Sequence, residues 1–180
     1  MQGGFLIEWT GARYVTSEGD DSFGATKLNK LLFYSDFMAF AKFGEPITGQ
    51  DYQKLEHGPA PCHLLPVQNS LVQERAIRVE PVEYHGLIQN RCVALRPPDM
   101  SSFNNVEIKL LDEVIQGFWG KIATYISDKS HRFVGWKLAE FRETIPYEVA
   151  LVGWRPPTDK EPAWGQELSE MARECLSREA

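Results

Sequence analysis

This chain of 180 residues has little cysteine, no basic cluster and no hydrophobic run long enough to cross a bilayer. Its cysteines, Cys62, Cys92 and Cys175, are odd in number and widely spaced. That excludes a disulfide framework of the secreted kind and points to a reducing cytoplasm. Residues 1–8 offer no basic n-region, and Phe5, Leu6 and Ile7 are too short an apolar run for an export signal. In the most apolar stretch, Leu31–Ala41, Ser35 and Asp36 interrupt the pattern well short of the roughly 20 residues a spanning helix needs. It reads as a buried helix, and no membrane partner is expected.

Positive charge is also short. Lys and Arg number 19 against 25 Asp and Glu, a formal net charge of −6. Basic and acidic residues number 6 and 9 in 1–75, 9 and 10 in 76–154, and 4 and 6 in 155–180, so no third is basic. Nucleic-acid affinity rests on clustered Lys and Arg displacing counterions, and no nucleic-acid partner is expected. Phosphate loops of the G-x-G-x-x-G or G-x4-G-K-[ST] kind are missing. His57, Cys62 and His63, with Asp36, are types that zinc accepts, but without paired short spacers they read as loop and helix-start residues. Neither a metal nor a cofactor is expected. Ser127, Asp128, Ser130 and His131 are triad ingredients packed into one short stretch, where they fit the capping of a helix C-terminus better than a converging catalytic set. Asp20/Asp21 and Asp112/Glu113 read as solvated pairs on a turn and a helix flank.

What the chain does contain is helical periodicity. From Ala25 to Phe43, Leu28, Leu31, Leu32, Phe33, Phe37, Met38, Phe40 and Ala41 cover most of a helical wheel, leaving Lys27, Lys30 and Asp36 a narrow polar strip. Gly44 and Pro46 stop that helix. Phe5–Ser17 fits helix or strand, with a lean to helix. Residues 44–61 are a structured loop rich in Gly and Pro, with an extended piece at Tyr52–Leu55. A helix is expected over Cys62–Glu74 with Pro66 in its first turn, then a hairpin of Ile77–Glu80 and Gln89–Leu95 bending at His85-Gly86, with Pro81 forcing an edge or a bulge. Asn104 and Glu107 resemble a capping box opening a helix over about 105–128. Gly117 and Gly120 inside it suggest a neighbour pressed close. Short helices follow at Trp136–Phe141 and Tyr147–Leu151. The fold class is α+β and mainly α-helical, a single compact domain with a small antiparallel hairpin or three-stranded sheet. It occupies 1–157, and 158–180 is a polar charged tail whose pattern is compatible with a surface helix at Gln166–Ser177.

Taken in order, Thr26-Lys-Leu-Asn-Lys-Leu-Leu-Phe-Tyr-Ser-Asp36, Gly44-Glu-Pro-Ile-Thr-Gly49, Tyr52-Gln-Lys-Leu-Glu-His-Gly-Pro-Ala-Pro61, Ser130-His131, Gly135-Trp136 and Ile145-Pro-Tyr-Glu148 resemble the Panacea domain of SocA-like antitoxins. The likeness spans residues 24–152. Its motif residues fall at Lys27, Lys30, Asp36, Tyr52, His57, Gly58, Pro59, Pro61, His131, Trp136, Pro146, Tyr147 and Glu148. The resemblance implies a mainly helical domain, found in bacteria and their phages, that neutralises a cognate toxin protein and is not an enzyme. Delivery of the partner to an ATP-dependent protease, with the tail as tether, is a variant of that mode. Within this expectation Leu28, Leu31 and Leu32 are core residues. Gly58-Pro59 makes a rigid turn, and Asp36 ties the central helix to the loop through His57, a Tyr hydroxyl or backbone N–H groups of Tyr52–Pro61. Tyr52, Arg132, Trp154 and Trp164 are the candidate partner anchors, since aromatic and Arg side chains dominate interfaces. The competing expectation is a small hydrolase or transferase using Asp36 and His57 across a cleft.

Overall fold

The computed structural model describes residues 20–152. Phe5–Ser17, Trp154, Trp164, Cys175 and the tail therefore lie outside the described residues. Within them, α1 (Ala25–Phe43) is followed by β1 (Tyr52–Leu55), β2 (Gly58–Pro61), α2 (Leu64–Gln73), β3 (Ile77–Tyr84), β4 (Leu87–Ala94), α3 (Asn105–Phe118), α4 (Ala123–Ser130), α5 (Val134–Leu138) and a 3-10 helix (Tyr147–Val152). The expected class, α+β and mainly helical, is the observed one. No helix among these residues is long and apolar enough to cross a membrane.

Helix α1 is the axis on which the other elements pack. Leu28, Leu31, Leu32, Phe33, Tyr34, Phe37 and Ala39 are buried, and β2, α3, α4 and the 3-10 helix surround it. Its end is set by Gly44, which takes a left-handed conformation (φ 81°) and returns its N–H to the Phe40 carbonyl at 2.8 Å. Phe33 and Phe37 sit in an aromatic cluster with Tyr52, Phe133 and Tyr147, with ring centroids 4.6 to 5.9 Å apart in the Phe33–Phe37, Phe33–Tyr52 and Phe37–Phe133 pairs. Edge-on and tilted contacts of this kind add to the apolar burial and fix ring orientation.

The polar strip of α1 lies inside the fold, in keeping with a central helix: Lys27, Lys30 and Asp36 are all within 1 % of full burial, and every residue from Lys30 to Phe37 is buried. Three sequence expectations are corrected. The long helix expected over 105–128 is two. The capping box at Asn104 starts α3 as the spacing predicts, with Asn104 Oδ1 accepting from Val106 and Glu107 N–H and Glu107 answering to the Asn104 N–H, all at 2.9 Å. The helix then stops at Phe118, because Gly120 enters the left-handed region (φ 65°) and the Lys121 carbonyl is taken by side chains of Lys27 and Ser22. No neighbour crowds Gly117 or Gly120; a Cβ at either would meet open space. Finally, the β structure is two separate two-stranded sheets, β1–β2 and β3–β4. The second is the expected hairpin, lengthened to eight residues a strand, and its His85-Gly86 turn has both residues at positive φ, which matches strand twist. Pro81, opposite Asn90, is accommodated because each strand of a two-stranded sheet is an edge.

The remaining helices follow the pattern with shifted ends. α2 begins at Leu64 with Pro66 in its first turn. α5 stops at Leu138, leaving Phe141 in a loop, and Tyr147–Val152 winds as a 3-10 helix after Pro146.

Candidate functional site

Each of the three polar residues of α1 hooks a loop that would otherwise be held by little. Lys27 forms an ion pair with Asp20 in which both side chains are essentially buried, and also donates to Ser22 Oγ (3.0 Å) and the Lys121 carbonyl (2.9 Å). Asp20, read from sequence as a solvated turn residue, is therefore part of the core. Burial pushes its carboxyl up, but bonds from Lys27, Ser22 and the Gly120 N–H outweigh that and hold it below its usual value. Asp36 accepts from Thr48 N–H (2.7 Å), Thr48 Oγ1 and the Tyr52 hydroxyl (2.7 Å). The expected tie from Asp36 to the following loop is thus real, and it runs through a Tyr hydroxyl and through Thr48. Burial raises the Asp36 carboxyl above the ordinary carboxylate range despite those three donors, and raises the Tyr52 hydroxyl as well.

The third hook belongs to a larger construction. Three carbonyls within residues 55–59, the β1–β2 turn, each accept a hydrogen bond from a side chain elsewhere in the chain. Trp136 Nε1 donates to Leu55 O at 3.0 Å, Ser127 Oγ donates to His57 O at 3.0 Å, and Lys30 Nζ donates to Pro59 O at 2.6 Å. Because the donors come from α1, α4 and α5, the turn is where three helices meet. Gly58, at φ 98°, permits the approach: a Cβ there would run into Ser130 Oγ and lie 2.9 Å from Lys30 Nζ. Ser130 Oγ itself donates to Ser127 O at 2.7 Å, the capping role its position suggests.

The electrostatics of this turn are one-sided. Lys30 is 1 % exposed and among the described residues has the Pro59 carbonyl as partner and no carboxylate. Burial pulls its ammonium from 10.5 down to about 7. His131 is lowered by burial first and by the Lys30 charge second, with its Nε2 buried and unpartnered. Its ring stacks on Trp136 at 4.1 Å between centroids and 17° between planes.

The remaining motif residues divide between core and surface. Pro59 and Pro61 are buried in β2. Tyr147, half-buried, gives its hydroxyl to Gln50 O and packs against Phe37 and Phe40; Pro146 precedes its helix and Glu148 is exposed in that helix's first turn. Of the candidate anchors, Tyr52 is corrected to a core residue, since it is 1 % exposed with its hydroxyl on Asp36. Arg132 is exposed just beyond α4. The Asp36–His57 pairing is not formed: Asp36 is spent on Thr48 and Tyr52, while the His57 side chain is exposed on the turn. Among the described residues no group of three or more His, Cys, Asp or Glu converges as a metal site. Cys62 and Cys92 are free, and Cys92 Sγ accepts from Gln68. Thr48, Asp20 and Ser22 are structural partners that sequence reasoning missed; Thr48 alone carried a signal, its place in the Gly44–Gly49 motif.

Comparison with family models matches residues 28–137 to "Antitoxin SocA-like, Panacea domain". The matched span opens within α1 and closes at α5, so it contains every donor and acceptor of the β1–β2 turn. No curated protein and no solved structure matches the chain.

Proposed function

Since the chain belongs to the SocA-like antitoxin family through its Panacea domain, we propose that it is the antitoxin of a toxin–antitoxin pair and works by occupying its toxin, without catalysis. The supporting observation is the fate of the motif's polar side chains. Lys27, Lys30, Asp36 and Trp136 each have a hydrogen-bond partner inside the fold, where they shape loops and a turn. A catalytic constellation keeps reactive groups convergent and reachable by substrate; here Lys30 and Asp36 are at most 1 % exposed. The motif residues make a scaffold, and the functional surface is what the scaffold presents.

On this reading the protein works in the cytoplasm, 1–157 is the binding domain and 158–180 is a tether. The neutralisation test is co-expression with the product of the adjacent reading frame. The expected result is a neighbour that arrests growth alone, is harmless with this chain present, and co-purifies with it. A neighbour that is harmless alone, or still toxic alongside this chain, overturns the proposal. Removing 158–180 separates contact from delivery: retained binding with lost turnover of the partner identifies a proteolytic adaptor, and unchanged neutralisation identifies inhibition by contact.

A further inference from the structure

Two side chains set against the β1–β2 turn can change charge, and neither has a carboxylate partner. Lys30 Nζ, on a residue only 1 % exposed, has the Pro59 carbonyl as its acceptor at 2.6 Å. His131 Nε2 is buried without a hydrogen-bond partner, and its ring lies flat on Trp136, the side chain that holds Leu55 O. We propose that this pair makes the turn a proton-operated latch: with Lys30 neutral the turn is closed on three helices, and protonation of Lys30, then of His131, lets residues 55–59 move into water without unfolding the helices. The inference goes beyond the antitoxin reading and does not depend on it.

The electrostatic surroundings carry the first part of the argument. Lys27, equally buried one turn earlier in α1, is compensated by its ion pair with Asp20, and Asp36 is engaged by Thr48 and Tyr52. Nothing comparable serves Lys30. β2 brings it no titratable side chain, while Glu56 and His57 on the turn, Asp128 and Lys129 on α4, and Lys137 on α5 are all exposed. Of these, Asp128 favours a proton on His131, whereas Lys30 and His57 oppose one. A charge buried without a partner is relieved either by losing its proton or by reaching water. The turn is the element that can let water in. Its outer side, at Glu56 and His57, already borders solvent, and its Gly58 backbone presses so close that a Cβ there would lie 2.9 Å from Lys30 Nζ. Helix α1, packed among β2, α3, α4 and the 3-10 helix, has no such freedom.

Linkage then gives the direction. Behind the closed turn the Lys30 ammonium keeps its proton only up to about 7, and in water up to 10.5. Between those values the open turn binds the extra proton, so falling pH favours opening; below about 7 both forms are charged and the drive levels off. His131 takes over there. Burial and the Lys30 charge hold its ring below the ordinary 6.5, so opening lets it take up a proton as pH falls past that value.

The test is hydrogen exchange of the full-length chain, read by mass on a fragment covering residues 52–61 and on one covering α3, with labelling times scaled for the intrinsic pH dependence of exchange. The turn should exchange at least about tenfold faster than α3 at every pH, because it opens without global unfolding. Its protection should fall about fifteenfold from about pH 8.5 to about pH 7, and about thirtyfold by about pH 5.5 before His131 adds its share. Lys30→Met should abolish the fall above about pH 7, and His131→Phe, which keeps the stacked ring, the further fall below it. Should Lys30→Met not fold, the wild-type profile decides, together with the carbon NMR titration of Lys30 Cε, expected at about 7. Turn protection that is flat with pH overturns the latch. So does turn protection equal to that of α3, which would mean that the turn opens only with the whole fold, and so does a Lys30 titration at the ordinary 10.5. Each of these results leaves toxin neutralisation as it stands.

Discussion

Lys30→Met removes an ammonium that α1 buries against the Pro59 carbonyl. The unfolded chain keeps the Lys30 proton up to the usual 10.5, and the folded chain keeps it only up to about 7. Between those values the unfolded state binds more protons, so stability rises with pH across the window; below it the cost of the buried charge is paid in full. That cost is about 5 kcal/mol near pH 6 and falls to about 1 kcal/mol near pH 10. Methionine fills similar volume but leaves the Pro59 carbonyl without its donor, a penalty of about 2 kcal/mol that does not depend on pH. The variant should therefore be more stable than wild type by about 3 kcal/mol near pH 6 and less stable by about 1 kcal/mol near pH 10, with the curves crossing near pH 9. Urea denaturation of both proteins at five pH values measures this directly. A difference between the two that stays constant with pH would refute the argument, because it would mean the ammonium is not desolvated. His131 supplies an internal check: its ring is held down partly by Lys30, so its proton NMR titration should move upward in the methionine variant.

Gly58→Ala should destabilise by about 2–4 kcal/mol in chemical denaturation, combining a left-handed backbone with a Cβ that collides with Ser130 Oγ. Adding Ser130→Ala should restore only the collision part. Asp36→Ala strands the Tyr52 hydroxyl and the Thr48 N–H in the core, and should cost about 4 kcal/mol by the same assay. Asp36→Asn, which keeps one carbonyl oxygen as acceptor, should cost about half as much. Asn104→Ala removes both acceptor contacts of the α3 cap and should lower stability by about 1 kcal/mol, read as a fall in Tm with toxin binding unchanged.

Much of this architecture is visible in the residues, and what is not follows a pattern. The α1 wheel, the Gly44 stop, the Asn104 capping box and the His85-Gly86 turn are local features, set by side chains acting on their own or the next turn of backbone, and all appear where the sequence places them. The break at Gly120 is not local: α4 starts anew because Asp20 and Lys27, about a hundred residues upstream, take the Gly120 N–H and the Lys121 carbonyl. The wheel of α1 shows that the helix is central but not what Lys27 and Lys30 bond, since a helix viewed alone says nothing of the chain packed on its polar strip. Burial on all sides comes from β2, α3 and α4 packing around it. The motif pattern identified Lys30, Gly58 and Trp136 without showing that they converge on one turn, since the bonds joining them are to main-chain carbonyls, which leave no trace in residue identity.

The clamps on that turn join parts of the chain made at very different times. Lys30 reaches forward 29 residues to Pro59, Ser127 reaches back 70 to His57, and Trp136 reaches back 81 to Leu55. As the chain emerges during synthesis, Lys30 is already made when Pro59 appears, whereas the Leu55 and His57 carbonyls stay bonded to water until α4 and α5 are translated. Contacts of such separation close late, after the local helices, because the entropy of the long loops must be overcome first. A chain cut short between Pro61 and Ser127 therefore keeps the Lys30 clamp but lacks those of Ser127 and Trp136, and the set is complete only when translation has passed α5.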